Sequence, residues 1–132
     1  MPDNFPLHVA CVAGAGAIGA LARWGVAFLG NAALGSRFPY GTLIANVLGC
    51  FIFGLVVEFL RHRELLDSYL RFLLLTGFAG AFTTFSTFGF ESYQLAHERH
   101  PALAVLNIAL SVGLGLAAVV AGVAAGRTIA AG

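Results

Sequence analysis

Four long apolar runs alternate with three short polar clusters along this chain, and each run is near the roughly 20 residues that cross a bilayer as a helix. They predict membrane helices over about 7–29, 41–60, 70–96 and 101–126. The clusters between them read as turns. The first, 30–40, carries Asn31, Gly35, Ser36, Arg37 and Pro39. The second, 61–68, is RHRELLDS, in which Asp67 or Ser68 is placed to cap the third helix. The third, 97–100, is HERH, and Pro101 suits the first turn of the last helix. No linker is long enough to divide the chain, so residues 1–132 read as one four-helix transmembrane domain. The N-terminus lacks the basic segment of a cleaved signal and reads as a retained first helix.

The third run departs from the pattern. Within TGFAGAFTTFSTFGFE, residues 76–91, Phe78, Phe82, Phe85 and Phe88 recur at spacings of four, three and three, which aligns them as a stripe on a helix. Thr76, Thr83, Thr84, Ser86 and Thr87 fill much of the remaining circumference. Hydroxyls in hydrocarbon are costly unless they bond to backbone, to a neighbouring helix or to something that passes by. The segment therefore suggests the lining of a pathway.

Composition agrees with a membrane setting. The chain is 59% hydrophobic and 10% charged, with mean hydropathy +0.89, where soluble domains carry roughly 25% charged residues. All seven basic residues are arginine and the net charge is +1, so no surface is basic enough for nucleic acid. Cys11 and Cys50 have no Cys or His at ligand spacing and read as small apolar side chains. Gly14, Gly16 and Gly19 spell GxGxxG, but no strand precedes them and no acidic residue follows at the distance a dinucleotide site needs. The histidines, His8, His62, His97 and His100, fall at helix ends and connectors and read as interfacial, without a carboxylate partner in the membrane. Nothing supports an enzyme, since no nucleophile, base and orienting group converge.

Charge leaves the orientation open. Arg61, Arg63, Arg71 and Arg127 gather on one side and Arg37 and Arg99 on the other, with Arg23 narrowing the difference. A protein so weakly biased can insert both ways, which permits a two-fold dimer of opposed subunits. Small residues favour close helix packing: Gly122 and Gly126, extended by Ala118, and Gly16 with Ala20.

Polar residues inside the spans carry the remaining information. Arg23, followed by Trp24, either snorkels to the interface or supplies positive potential at a pore mouth. Thr42 and Asn46 stand one turn apart in the second span, and Asn107 and Ser111 repeat that spacing in the fourth; each pair either bridges helices or joins a polar track. Amide and hydroxyl donors, together with the electropositive edges of Phe85 and Phe88, suit a negative ion. A cation or proton path would ordinarily use carboxylates, and Glu58 and Glu91 lie only toward the span ends.

The motifs GAGAIGALARW (14–24), GTLIANVLG (41–49) and above all GFAGAFTTFSTFGFE (77–91) resemble the Fluc (CrcB) family of small fluoride channels. The resemblance runs in order over three spans and covers nearly the whole chain. It implies an all-α membrane protein with a third helix broken near its middle, assembled as an antiparallel, dual-topology homodimer in the inner membrane of a bacterial cell. Its activity would be passive, selective exit of fluoride, relieving fluoride toxicity. By position, Asn46, Phe85 and Phe88 would face the ion, with Thr42, Ser86, Thr87, Ser111 and Asn107 beside the path and Arg23 at its mouth. A structural Na+ on the two-fold axis would be held by the backbone carbonyls of Gly80 and Thr83, the break being permitted by Gly77 and Gly80; no organic cofactor is implied. The last span departs from the family pattern at Gly115, which offers no hydroxyl, and Ala81 and Gly89 stand where glycine and serine are common. The rival class is a small multidrug or proton-coupled exporter with four helices and dual topology. That class wants a carboxylate embedded in the first span, and none follows Asp3 there. A non-transporting assembly subunit would need packing residues but no polar stripe.

Overall fold

A computed structural model describes residues 4–65 and 69–132, and every secondary-structure element among the described residues is a helix. In order, it comprises α1 (Phe5–Leu34), α2 (Tyr40–His62), α3 (Tyr69–Arg71), a π-helical stretch (Phe72–Ala79), α4 (Gly80–Phe82), α5 (Phe85–His97) and α6 (Pro101–Ala131). Four of the resulting rods are long and apolar enough to cross a membrane: Phe5–Leu34, Tyr40–His62, Tyr69–His97 and Pro101–Ala131. Pro6 and Pro101 sit in the first turns of α1 and α6, where their missing N–H costs nothing. Gly35, at φ 88°, ends α1 in the left-handed region that glycine adopts freely. The proposed caps Asp67 and Ser68 lie outside the described residues.

The packing is that of a membrane bundle: small residues inside and large apolar ones outward. Leu21, Trp24 and Phe28 of α1 and Val105, Leu116 and Val120 of α6 are exposed, whereas Ala15, Ala45, Ala79 and Ala104 are buried. Association in lipid relies on close backbone approach, because the solvent is as apolar as the side chains. The α2–α6 seam is the clearest case. A Cβ at Gly122 would overlap the Phe51 carbonyl, and one at Gly126 would come 2.6 Å from that of Leu55. From the facing helix, Gly54 meets Val119 in the same way. On α1 the tight contact belongs to Gly19, which abuts the Phe78 carbonyl, while Gly16 has ordinary clearance. The glycines of GxGxxG thus lie within one long helix.

The third span is interrupted near its middle as expected, at the C-terminal end of the 77–83 stretch rather than at its glycines. Gly77 lies in the π-helical stretch, and Gly80 has ordinary helical angles, φ −62° and ψ −37°. The interruption falls at Thr83 (φ −89°, ψ 156°) and Thr84 (φ −147°, ψ 115°), both extended. Extended backbone suits β-branched threonine. The role of Gly77 is close approach, since a Cβ there would come 2.8 Å from that of Ala15. Phe78 and Phe82 stack at 5.6 Å between ring centroids, and Phe82 is buried, so this half of the aromatic stripe is packing.

At one end of the bundle, Glu58 of α2 is only 5% exposed yet ionically well supplied. Arg61 donates to both of its oxygens, at 2.6 and 3.0 Å, and Arg127 of α6 donates to Oε1 at 2.8 Å. His62 Nε2 stands 3.4 Å from the same oxygen. His62 therefore has the carboxylate neighbour that the sequence reading denied it, one turn back on its own helix.

Candidate functional site

The extended pair at 83–84 turns backbone groups away from the helix axis, and in a membrane those groups must find partners. Asn46 of α2 supplies both for Thr84. Its Nδ2 donates to the Thr84 carbonyl at 3.0 Å, and its Oδ1 accepts from the Thr84 N–H at 2.7 Å. A primary amide is the side chain that can donate and accept in this way at once. On the other side of the break, Arg23 Nε donates to the Ala81 carbonyl at 3.1 Å. Arg23 thus caps the end of α4, while Trp24 beside it is 67% exposed and stacks on Phe28.

Downstream, Thr84 opens α5 as its N-cap. Its Oγ1 accepts from the Thr87 N–H at 3.3 Å and donates to the Thr87 hydroxyl at 2.9 Å, with Ser86 Oγ 3.4 Å away. Thr83 Oγ1 returns to the Ala79 carbonyl. The hydroxyls that looked costly in sequence are spent largely on the break itself.

A cleft of about 260 Å³ opens beside this junction, lined by Asn46, Cys50, Thr83, Phe85, Phe88 and Ser111 together with Thr84 and Val112. Phe85 is 84% exposed, and its ring lies 5.6 Å from that of Phe88, tilted by 53°. Ser111 Oγ is buried and has no hydrogen-bond partner among the described residues. Asn46 keeps a second N–H beyond the one given to Thr84. The wall therefore combines amide and hydroxyl donors with aromatic edges and contains no carboxylate, a chemistry matched to a small anion.

Other residues singled out in sequence lie elsewhere. Thr42, one turn before Asn46, is buried and donates to Glu91 Oε1 at 2.8 Å, while Glu91 Oε2 has no partner among the described residues. Asn107 is 1% exposed and donates to Ser92 Oγ at 2.9 Å, which donates in turn to the Phe88 carbonyl at 2.8 Å. Asn107 is thus joined to the cleft through the backbone behind Phe88. Gly80, one of the two positions assigned to a backbone cation site, is exposed, and Thr83 lines the cleft. In sequence Cys50 reads only as a small apolar side chain, yet it lines the cleft. Cys50 stands one turn beyond Asn46, so helical spacing alone places it on the same wall.

Four membrane-length helices, one of them broken beside a largely apolar cleft that carries amide and hydroxyl groups and no carboxylate in its lining, are the frame of a small integral membrane protein of channel type. Residues 10–123 match the family model described as "CrcB-like protein, Camphor Resistance (CrcB)". The chain belongs to that family. Among curated proteins it is 53% identical over 119 residues to a "Fluoride-specific ion channel FluC" of Solidesulfovibrio magneticus, covering 89% of this chain and 94% of that one. Proteins of the same description from Acidobacterium capsulatum and Rhizobium johnstonii are 45% and 43% identical, over 91% and 90% of this chain and 96% and 95% of theirs.

Proposed function

We propose that this chain is a passive, fluoride-selective channel of a bacterial cell membrane, by which fluoride that entered as neutral HF leaves down its electrochemical gradient. The observation that carries the reading is the cleft at the break, whose lining brings donors and aromatic rings together and includes no carboxylate. Relatives over nearly the full length that are described as fluoride-specific channels support the choice of ion.

Fluoride is small and strongly hydrated, so a pore must replace water with donors in sequence, none so strong that the ion stays. The free N–H of Asn46, the Ser111 hydroxyl and the edges of Phe88 and Phe85 supply such contacts. Ser86 and Thr87 continue the polar surface along α5, and Thr42 lies a turn back along α2. Asn107 positions the Phe88 backbone through Ser92. Arg23 adds positive potential near the break while satisfying the Ala81 carbonyl.

The working unit in this reading is a homodimer of opposed subunits. The exposure of Phe85 and of Gly80 supports it, since a polar path and a helix break are untenable against lipid and call for a covering surface. A second copy is the surface at hand. The backbone suits a structural Na+ on the shared axis: Thr84 N–H goes to Asn46, so the Gly80 carbonyl loses the amide that a continuing helix would give it. Gly80 and Thr83 would hold the ion, which supplies positive charge to carbonyls otherwise unsatisfied in the membrane.

Purified protein in liposomes loaded with fluoride and chloride tests the reading directly. A fluoride electrode is expected to register efflux down the gradient while chloride stays trapped. Equal chloride flux ends the selectivity claim, and efflux that requires an opposing proton gradient favours the exporter class.

A further inference from the structure

A second cavity, larger than the cleft at the break, lies at the end of the bundle where the α1–α2 turn meets the α5–α6 turn. Its volume is about 620 Å³, within the range of roughly 300–1,000 Å³ typical of small-molecule sites. Arg37, Arg99, His100 and Tyr40 stand on its polar side. Leu103, Leu106 and Leu110 line its apolar side. Their spacing of three and four puts them on one face of α6, descending about 10 Å along the helix from the polar connector.

The two arginines are distinctive because of what the other five do. Arg23 bonds a backbone carbonyl, Arg61 and Arg127 share Glu58, and Arg63 and Arg71 lie over the rings of Phe59 and Phe72. Arg37 and Arg99 have no carboxylate, carbonyl or ring partner among the described residues. Both line this groove, at the end of the bundle where connectors join the spans, and Arg37 also borders a recess that holds Glu91 and Glu98.

We propose that the groove binds an anionic phospholipid, its phosphate against Arg37 and Arg99 and the upper part of one acyl chain along the α6 leucines. Guanidinium is the group best shaped for a phosphate. A free inorganic anion would use the charged rim and leave the leucine floor without purpose, while a zwitterionic lipid would gain less from two arginines that form no close ion pair among the described residues. An anionic lipid uses both halves. The inference rests on the membrane setting and is independent of which ion the protein conducts.

Native mass spectrometry of the full chain, with phosphatidylglycerol and phosphatidylcholine supplied together in detergent, tests it. Wild type is expected to retain phosphatidylglycerol in preference to phosphatidylcholine. Arg37→Gln with Arg99→Gln is expected to lower phosphatidylglycerol retention about 30-fold, on the scale of roughly fivefold per interfacial arginine. Leu106→Trp, which fills the groove and keeps the charges, is expected to lower it as well. The arginine variant alters only exposed charge, so it gives a reading even if the tryptophan variant fails to fold. Equal retention of the two lipids, or phosphatidylglycerol retention unchanged in the arginine variant, overturns the proposal. So does displacement of the lipid by inorganic phosphate alone, which would mark a bare anion site, or a groove closed by a second copy and inaccessible to lipid in the wild type.

Discussion

Asn46 carries more than one task at the residue scale. Its amide closes two hydrogen bonds on the backbone of Thr84 and still offers an N–H to the cleft. Asn46→Ala leaves a part-buried donor and acceptor of Thr84 unpaired, each costing up to about 1–3 kcal/mol. Fluoride flux is expected to vanish together with a lowered unfolding midpoint in detergent. Asn46→Asp keeps the acceptor bond to the Thr84 N–H and is expected to retain more stability than flux. Phe85 and Phe88 separate function from packing in the opposite sense, because Phe85 is largely exposed within one subunit. Phe85→Ile and Phe88→Ile are each expected to remove most liposome flux while the assembly runs unchanged on size exclusion. Unchanged transport in both would sink the role of the ring edges.

At the element scale, the closest contacts between helices are made by backbone at glycines. Gly122 lies so close to the Phe51 carbonyl that Gly122→Val must part α2 from α6, and overpacking of that kind costs about 1–3 kcal/mol or more. A much lower thermal midpoint is expected, whereas Gly14→Ala, with nothing near its added methyl, is expected to hold the wild-type value. Four helices were readable in the sequence because hydrophobic length and turn residues act locally. The exact place of the break was not, because it depends on a partner 38 residues away: Asn46 makes extended backbone affordable at Thr84. Glycine flexibility pointed to a break over 77–83, but Gly77 serves close contact with α1 and Gly80 keeps ordinary helical angles, so only the last residue of that stretch is extended. The pairing of Thr42 with Glu91 was likewise hidden, since it joins two helices whose relative rotation no periodicity encodes. Asn46, Phe85, Phe88 and Ser111 were visible as polar or aromatic residues on three separate spans; periodicity could not join them, the family resemblance implied one path, and in the structure they line one cleft.

For the whole molecule, a dimer of opposed subunits makes a claim about labelling. A cysteine placed in the α5–α6 turn of a Cys11→Ser, Cys50→Ser background is expected to react with impermeant maleimide from both sides of a sealed membrane. Reaction from one side only would refute dual insertion. The order in which the chain is made bears on how such a protein reaches that state. A broken third span would enter the bilayer with exposed carbonyl and amide groups, each costing several kcal/mol in hydrocarbon. Arg23 and Asn46, the side chains that satisfy the groups around the break, both belong to spans synthesised earlier. The defect meets its remedy on arrival. A circular permutant that sends the third span in first would present the break to lipid with neither side chain yet in place, and is expected to insert with lower yield than the native order in a membrane-integration assay.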